Sequence, residues 1–461
     1  AYVRVTVWKN NSVFGDLAFT SKDLDFRKYS REVSQEDENG WQKIILEGYI
    51  PNEFKGEKVK VFVMNLGKGP VYIDDLQVKV YDRKPYPKYE NTAGFELIIE
   101  QKDMNYIKKQ KVKSLKKGII TKKNKKKFNA ILIDENGIKH KVEARIKGDW
   151  TDHIRGRKWS FRIKMKEGNF RGMKEFSIQE PGTRAFLNEW VLHTLFKSQD
   201  VLTTRYGFVP VRINGYSLGI YAYEEHFEKQ LIESNRRREG PILKFDESVM
   251  WNYKSPFKKF DSLPPIVEEA IIIPFKSKKT LKNPVLRQQF LIAQNLLYQY
   301  KTDVTPISAL FKVKALARLY ALSDIGHVWH SLRWHNERFY YNPVSSKLEL
   351  IGYDCYPSSK TDKRVWVLYP EQIYSNSIFV YDCYLAYSPF NDSVFVGEYM
   401  KTLHRFLFSD EIVNEIDSHL EEINRYEKLI QKEYVYYHYD YNFIKSNIEE
   451  LKQKYLKLTK K

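Results

Sequence analysis

The first 82 residues alternate between apolar and polar side chains in short runs. Gly, Asn, Pro and Lys segments separate the runs, and many apolar positions are β-branched or aromatic. The runs are VRVTVW (3–8), WQKIILEGYI (41–50), VKVFVMN (59–65) and VYIDDLQVKVY (71–81). A period of two predicts strands, and several short strands at this spacing are typical of a β-sandwich. We therefore expect a β-sandwich over residues 1–82.

A proline-containing stretch separates this region from the rest of the chain. DRKPYPKYENT (82–92) lacks apolar periodicity and is typical of a linker, which we place at 83–95. Beyond it, FELIIE, the lysine-rich residues 107–127 and FNAILIDENGIKHKVEARIKGDW are expected to be extended, with a hairpin turn at ENG. KWSFRIKM (158–165) alternates as a further strand.

Residues 96–245 continue with a helix and another hairpin. TRAFLNEWVLHTLFKSQ (183–199) has apolar side chains near helical spacing and predicts an amphipathic helix. YGFVPVRINGYSLGIYAYEEHF (206–227) returns to strands around an NGYSLG turn. Strands, a helix and then a hairpin are the order of a small nucleotide-binding lobe, so we expect a β-rich small lobe over 96–245.

The remainder, 246–461, is expected to be mainly helical. NPVLRQQFLIAQNLLYQYK and TPISALFKVKALARLYALSD predict helices, the second with Thr305 as cap and Pro306 in the first turn. Between these and the C-terminal helices, RFYYNPVSSKLELIGYD (338–354) predicts a strand, an NPVSS turn and a second strand.

That hairpin separates Asn336 from Asp354. A strand–turn–strand brings its ends together, so both side chains can converge on one ion. Phosphoryl transfer needs cations over the phosphates and Mg²⁺ held by carboxylate and amide oxygens. The alternative for the hairpin alone is that Asn336 caps a turn and Asp354 sits in a loop.

Charge adds one feature to this picture. The formal net charge is +19, and residues 107–127 contain eleven Lys and no acid. Such a run attracts polyanions or an anionic membrane surface, or it is a solvated, partly mobile loop. Because it contains no Arg or aromatic residue to contact phosphates or bases, we do not predict specific nucleic-acid binding.

Other compositional features exclude certain kinds of site and segment. Cys355 and Cys383 are the two cysteines, too few for a disulfide framework or a four-thiolate metal site. No run of about 18 apolar residues is present to span a bilayer. No leader sequence is recognisable, and because the chain begins with Ala1 rather than Met, its start carries no information about targeting.

The N-terminal strands resemble a known class of module. WKNNSVFG, the strand opened by Trp41, the IPNEF turn and YIDDLQVKV are similar to the C-terminal part of the jelly-roll, carbohydrate-binding-like modules of extracytoplasmic bacterial proteins. The resemblance implies a bacterial chain that works outside the cytoplasm or at the cell envelope. Asp74 and Asp75 are hard oxygen ligands that suit Ca²⁺, or they cap or bend the last strand.

Several ordered segments between residues 96 and 455 resemble the spore-coat CotH kinase family. They are ARIKGDWTDHIRGRKWSFRIKMK, similar to the family's Arg-x-x-Gly segment and Lys-initiated strand; VPVRINGYSLGIYAYEEHF, similar to its Asn-Gly-x-x-x-Gly-x-Tyr-x-x-x-Glu signature; GPILKFDE; and ELIGYDCYP, similar to its strand ending in a metal-binding Asp. The resemblance implies an α+β, atypical protein-kinase-like bilobal fold that follows the β-sandwich.

The resemblance also implies roles for individual residues. Lys158 is the expected phosphate-contacting lysine, and Glu189 of the predicted helix is our hypothesis for its partner. Arg145 lies in the loop expected near the phosphates, where a guanidinium can donate two parallel bonds. Glu225 is expected near the adenine, although Glu224 beside it is an alternative.

Asp354 and Asn336 are the implied Mg²⁺ ligands, but the catalytic base is not where the pattern expects it. Protein kinases place an Asp five residues before the metal-binding Asn, and this sequence has Ser331 there. Asp324 and His330 are the expected substitutes, and His327 and His335 are further options.

We therefore expect an ATP- and Mg²⁺-dependent kinase-like enzyme that transfers the γ-phosphate to a hydroxyl. The resemblance implies Ser/Thr of a protein as acceptor, and the carbohydrate-binding-like neighbour adds a glycan hydroxyl. The alternative is a pseudokinase or a non-catalytic surface or envelope-binding protein, because a fold does not guarantee activity.

Overall fold

The structure is a computed structural model. It describes residues 2–10, 15–20, 27–30, 33–49, 60–65, 70–81, 94–154, 156–248, 250, 267–328, 330–357, 384–435 and 437–459. Most of the linker predicted at 83–95, the IPNEF turn and Cys383 lie outside the described residues.

The N-terminal region forms two antiparallel sheets. Apolar side chains that alternate along the strands pack between them, among them Val3, Val5, Val7, Ile44 and Leu46. Strand orders are β4-β5-β1-β7 and β3-β2-β6. The strands are β1 Tyr2–Asn10, β2 Gly15–Thr20, β3 Arg27–Ser30, β4 Val33–Glu36, β5 Trp41–Tyr49, β6 Lys60–Asn65 and β7 Ile73–Tyr81. Asp75 takes a φ of 48° beside a register shift between β1 and β7, so the strand bends at this residue, and Ca²⁺ binding by Asp74 and Asp75 stays a prediction.

Seven further strands close into a barrel in the order β10-β11-β12-β14-β13-β8-β9. Within it β8 and β13 run parallel, and the other neighbouring pairs are antiparallel. The strands are β8 Phe95–Ile99, β9 Phe128–Ile133, β10 Lys139–Ile146, β11 Phe161–Met165, β12 Glu175–Gln179, β13 Tyr206–Ile213 and β14 Tyr216–Glu225. Alternate side chains fill the interior, and the others face outward.

Much of the lysine-rich stretch is helical, so the expectation of an extended segment or loop is wrong. Helix α1 runs over Gln101–Lys117 and ends at Gly118, whose φ is 76°. Ile107, Gln110 and Ser114 are buried at spacings of three and four, and most of the lysines are exposed. A sparse apolar stripe among many lysines conceals the helical period.

The predicted helix at 183–199 is present as α2, Leu187–Ser198, and it lies between the barrel and a helical region. The helices of that region are α3 Lys229–Ser234, α4 Ser277–Lys282, α5 Pro284–Thr302, α6 Ile307–Leu310, α7 Val313–Ile325, α8 Ser393–Phe408, α9 Glu411–Ser418, α10 Leu420–Gln431 and α11 Phe443–Thr459. Helices α5 to α11 share one core with α2 and the outward face of β14, and α3 packs Leu231 and Ile232 into a separate small cluster. Among the described helices, none combines the length and apolar character that crossing a membrane requires.

A small sheet is set into the helical region in the order β16-β15-β17-β18. Its strands are β15 Ile242–Phe245, β16 Ile272–Pro274, β17 Phe339–Asn342 and β18 Lys347–Leu350. β17 and β18 form the predicted hairpin, with Phe339 opposite Leu350. The fold is therefore α+β with a β-rich N-terminal region.

Candidate active site

Seven ionisable or amide side chains meet where the barrel contacts the helical region. We call this set the polar cluster: Lys147, Gln179, Arg184, Glu224, His330, Asn336 and Asp354. The barrel supplies Gln179 and Glu224 from strand ends and Lys147 from the residue after β10. Segments flanking the β17–β18 hairpin supply His330, Asn336 and Asp354.

The hairpin brings Asn336 and Asp354 together. The amide Nδ2 of Asn336 lies 3.3 Å from Asp354 Oδ2 and also donates to the carbonyl of His330 at 3.0 Å. His330 Nδ1 lies 2.6 Å from the same carboxylate oxygen. Two side chains of metal-binding type, Asn336 and His330, therefore meet the Asp354 carboxylate at Oδ2.

Arg184 contacts the other oxygen of Asp354. Its Nε atom forms an ion pair with Oδ1, and both side chains are largely buried. Burial would raise the pKa of Asp354, but the charge of Arg184 and the hydrogen-bonding contact with His330 outweigh burial and hold that pKa far below its usual range. The carboxylate is therefore ionised.

The short 3₁₀ turn Pro181–Arg184 explains how the sequence places Arg184. Pro181 opens this turn just after β12, and Ala185 and Phe186, both with positive φ, then redirect the chain into α2. Arg184 thus sits at the tight strand-to-helix connection and faces the hairpin.

A lysine–glutamate pair forms the barrel side of the cluster. Lys147 Nζ donates to Glu224 Oε2 at 2.9 Å and to Gln179 Oε1 at 2.7 Å. Burial would raise the pKa of Glu224, but Lys147 and Arg184 outweigh burial and lower it. Lys147 is also close enough to lower the pKa of Asp354. Two cations and two carboxylates, all largely buried, are thus held together.

The backbone around Lys147 is fixed by a glycine turn. Lys147 N donates to the carbonyl of Ser160 at 2.9 Å, and Gly148 follows with a φ of 92°. A Cβ at residue 148 would lie 1.8 Å from His153 Cδ2, so only glycine fits against that ring. The Arg-x-x-Gly segment therefore orients Lys147.

Lys158 belongs to a different network, and its expected pairing with Glu189 is wrong. Lys158 Nζ donates to Glu433 Oε2 at 2.6 Å, to the Ile220 carbonyl at 2.5 Å and to Tyr434 OH at 3.1 Å. The partner lies 275 residues away in sequence, just after α10. In the polar cluster, the ammonium group is that of Lys147.

Glu189 instead supports the backbone next to Asp354. Its Oε1 accepts from Cys355 N at 2.9 Å and lies 3.1 Å from His193 Nε2. Burial raises the pKa of Glu189, and the proximity of Asp354 adds to that rise. Glu189 therefore influences the site by holding the backbone that carries Asp354.

Strand alternation decides between Glu224 and Glu225. Ile220 and Ala222 face the core shared with the helices, so Glu224 faces the same way and reaches the cluster. Glu225 points to the opposite face, where Arg205 pairs with both of its carboxylate oxygens. The sequence analysis favoured Glu225, but the adjacent residue, Glu224, is the one that lies in the cluster.

Arg145 lies beside the cluster, two residues before Lys147. Its Nη1 donates to the Ile146 carbonyl at 2.9 Å. Burial lowers the pKa of Arg145, and Glu175 is the first of the carboxylates that oppose this. The structure gives Arg145 no contact with the cluster's carboxylates among the described residues, and its phosphate-binding role stays a prediction.

The two expected proton acceptors occupy different places. His330 contacts Asp354 and packs against the Tyr356 ring at 5.1 Å. Asp324 is buried on α7 and accepts a hydrogen bond from Tyr399 of α8. The ring of His327 packs against Phe443, and that of His335 against Trp334.

Sequence reasoning missed Lys147, Arg184, Gln179 and Glu433. A signal existed for Lys147, which lies between Arg145 and Gly148 in the quoted ARIKGDW segment. No motif pointed to Arg184 or Glu433, whose partners are set by tertiary contacts.

The barrel, the helical region and the ionic cluster between them define an α+β protein with a buried polar site at a junction. A family model described as CotH kinase protein matches residues 144–458, more than two thirds of the chain. The chain therefore belongs to the CotH kinase protein family. This confirms the resemblance seen in the sequence, and membership points to ATP and metal use in general. A search of curated proteins found no match.

Proposed function

We propose that this protein transfers the γ-phosphate of ATP to a hydroxyl group, with Ser/Thr of a protein as the acceptor. The observation that carries the proposal is the convergence of Asn336, His330 and the ionised Asp354 opposite the Lys147–Glu224 pair. In the bilobal kinase-like arrangement that we propose, the barrel is the small lobe and the helical region is the large lobe.

The residues around Asp354 fit Mg²⁺. The carboxylate oxygen, the amide of Asn336 and the imidazole nitrogen of His330 are mutually 2.6 to 3.3 Å apart. Adjacent ligands of an octahedral Mg²⁺ are about 3 Å apart. Asp354 and Asn336, with its amide oxygen turned inward, would hold the ion. Bound Mg²⁺ would neutralise charge on the β- and γ-phosphate oxygens.

The chain's own residues supply the remaining steps. Lys147, held by Glu224 and Gln179, donates to phosphate oxygens. The acceptor hydroxyl oxygen bonds to the γ-phosphorus, and the bond from phosphorus to the β–γ bridging oxygen breaks to release ADP. The hydroxyl proton goes to His330, the expected base that contacts Asp354. Asp324 is the less favoured base because it is buried against Tyr399.

Nucleotide binding is tested by thermal shift with and without ATP and Mg²⁺. A ligand at 100 times its dissociation constant stabilises the folded state by about 2.7 kcal/mol, so the melting temperature should rise. Glu224→Gln should reduce the shift, whereas Glu225→Gln, its buried neighbour in the same strand, should retain it. An equal loss in both variants would contradict the site.

Transfer is tested with ATP labelled in its γ-phosphate. We expect labelled phosphoserine or phosphothreonine on an added protein acceptor, and no label with Asp354→Asn. Label on an added glycan alone would keep the chemistry and replace the acceptor.

Two observations favour a second candidate, a nucleotide-binding protein without transfer activity. Ser331 stands where protein kinases place the catalytic Asp, and Arg184 already neutralises Asp354. An ATP- and Mg²⁺-dependent thermal shift with no transfer to any acceptor would select this candidate.

A further inference from the structure

The contact between Arg184 and Asp354 uses only part of the guanidinium group. Nε forms the ion pair with Asp354, and Nη1 donates to the carbonyl of Thr183 at 3.0 Å. Within the described residues, no hydrogen bond from Nη2 is found. An Arg–carboxylate pair commonly uses two parallel N–H bonds, so this contact leaves donors available.

Arg205 shows what a fully engaged arginine looks like in the same protein. Its Nε and Nη2 both contact Glu225, and its Nη1 and Nη2 donate to the carbonyls of Arg171 and Gly172 at 3.2 and 3.0 Å. Arg205 is therefore fixed in a closed network. Arg184 has fewer bonds to break if it changes partner.

The charge balance of the cluster gives Arg184 a reason to change partner. Lys147 and Arg184 balance Glu224 and Asp354, and burial keeps Glu189 nearer to its neutral form. A divalent cation at Asp354 would add two positive charges beside the guanidinium. In a largely buried site such repulsion is poorly screened, so cation and guanidinium exclude each other.

We propose that Arg184 occupies Asp354 in the nucleotide-free protein and passes to the phosphate oxygens when a divalent cation and ATP enter together. This inference rests on the proposed function and names Arg184 as a regulator of the same site. Arg184 thereby opposes binding of the cation alone and favours binding of the cation with a polyphosphate.

The surroundings of Arg184 fit both positions. The Tyr356 ring lies 5.3 Å from the guanidinium carbon and offers a flat surface along which the planar group can shift. The side chain is 15% exposed, so part of it is accessible to solvent. A planar fork of donors also suits phosphate oxygens better than a lysine does.

The first experiment measures Mn²⁺ binding without nucleotide by titration calorimetry. We expect Arg184→Gln to bind Mn²⁺ at least about tenfold more tightly than wild type, because the competing cation is gone. Mn²⁺ should also raise the melting temperature of this variant more than that of wild type. Arg205→Gln, which removes an arginine from another buried carboxylate, is the matched control and should show neither gain.

The second experiment measures ATP binding in the presence of Mg²⁺. Arg184→Gln should bind ATP about 10 to 100 times more weakly, since a charged phosphate contact is lost. If Arg184→Gln does not fold, Arg184→Lys keeps the charge without the fork, and we expect about tenfold weaker ATP binding with wild-type Mn²⁺ affinity.

The outcomes separate this inference from the proposed function. A wild-type protein that binds ATP, together with an Arg184→Gln variant whose Mn²⁺ or ATP affinity is unchanged, overturns the inference alone. For Arg184→Lys, unchanged ATP affinity does the same. A wild-type protein that binds no ATP overturns the proposed function and this inference together.

Discussion

Two buried lysine–glutamate pairs share their residue types but not their surroundings: one links two barrel segments, and the other links the barrel to the residues just after α10. Lys147–Glu224 lies in the polar cluster, and Lys158–Glu433 lies on the C-terminal side. Lys147 shares its surroundings with Arg184 and Asp354. Lys158 is enclosed by the Tyr221 and Tyr434 rings, at 5.4 and 5.0 Å from their centroids.

The electrostatic environments differ in the same way. Burial raises the pKa of Glu433, and the opposing effect of Lys158 does not fully cancel it. For Glu224, Lys147 and Arg184 together outweigh burial, and the pKa falls. In the Lys158–Glu433 pair, one cation faces one carboxylate. The Lys147–Glu224 pair belongs to a larger group of charges that can accept a charged ligand. The surroundings of an ion pair, and not its residue types, therefore indicate a binding site.

Lys158→Met should produce the largest change in stability. It leaves Glu433 buried without its cation, and breaking a buried pair in this way costs about 3 to 5 kcal/mol. Urea denaturation measures the loss, and ATP-dependent transfer per folded molecule should stay near wild type. Loss of nucleotide binding with unchanged stability would reverse the roles that we assign to the two lysines.

Lys147→Met should produce the complementary result. Removing a preorganised donor from a developing charge costs about 10² to 10³ in rate, so transfer of labelled γ-phosphate should fall by that factor. Stability should fall less than in Lys158→Met, because Arg184 still acts on Glu224. Transfer at the wild-type rate would show that Lys147 does not contact the phosphates.

Gly219→Ala should disturb the Lys158–Glu433 pair by a smaller amount. Gly219 has a φ of 85°, and a Cβ there would lie 2.1 Å from Glu433 Oε2. We expect a loss of about 1 to 3 kcal/mol in denaturation experiments. Gly215→Ala is the control, because φ is 79° there and nothing lies within 4 Å of the added Cβ. Equal losses at the two positions would mean that backbone strain alone is responsible.

The protonation of His153 should have the smallest effect on stability, and this effect should be absent at neutral pH. Burial lowers the pKa of His153 to about 4, and the charges of Lys147 and Arg184 contribute. Because the unfolded chain takes up this proton near pH 6.5, stability is retained above that pH and is lost as the pH falls toward 4. The slope from this group is at most about 1.4 kcal/mol per pH unit.

His153→Gln should flatten that dependence in unfolding measurements between pH 7 and 4, relative to the wild-type protein. An unchanged slope in His153→Gln would assign the acid sensitivity to other groups.

Local patterns predicted much of the fold and the side of the site that the β17–β18 hairpin supplies. Alternation gave the N-terminal strands, helical spacing gave α2, and the turn within residues 338–354 gave the hairpin that brings Asn336 to Asp354. These features depend on nearby residues, so a period of two or of 3.6 carries the information.

The partners of buried charges were not predictable in this way. Lys158 pairs with a glutamate 275 residues away, and one position along β14 separates Glu224 from Glu225. Such pairings depend on which faces meet in the folded protein. The helix in the lysine-rich stretch was missed for another reason, because its buried face has few apolar residues.

The long separation between Lys158 and Glu433 has a consequence for biosynthesis. The barrel strands leave the ribosome well before residue 433 is translated, so the ammonium of Lys158 has no counter-charge from that carboxylate while the nascent barrel assembles. We expect the barrel to reach its final packing only after the C-terminal helices emerge. Truncated fragments that end before residue 433 should therefore be poor substitutes for the full chain in expression trials.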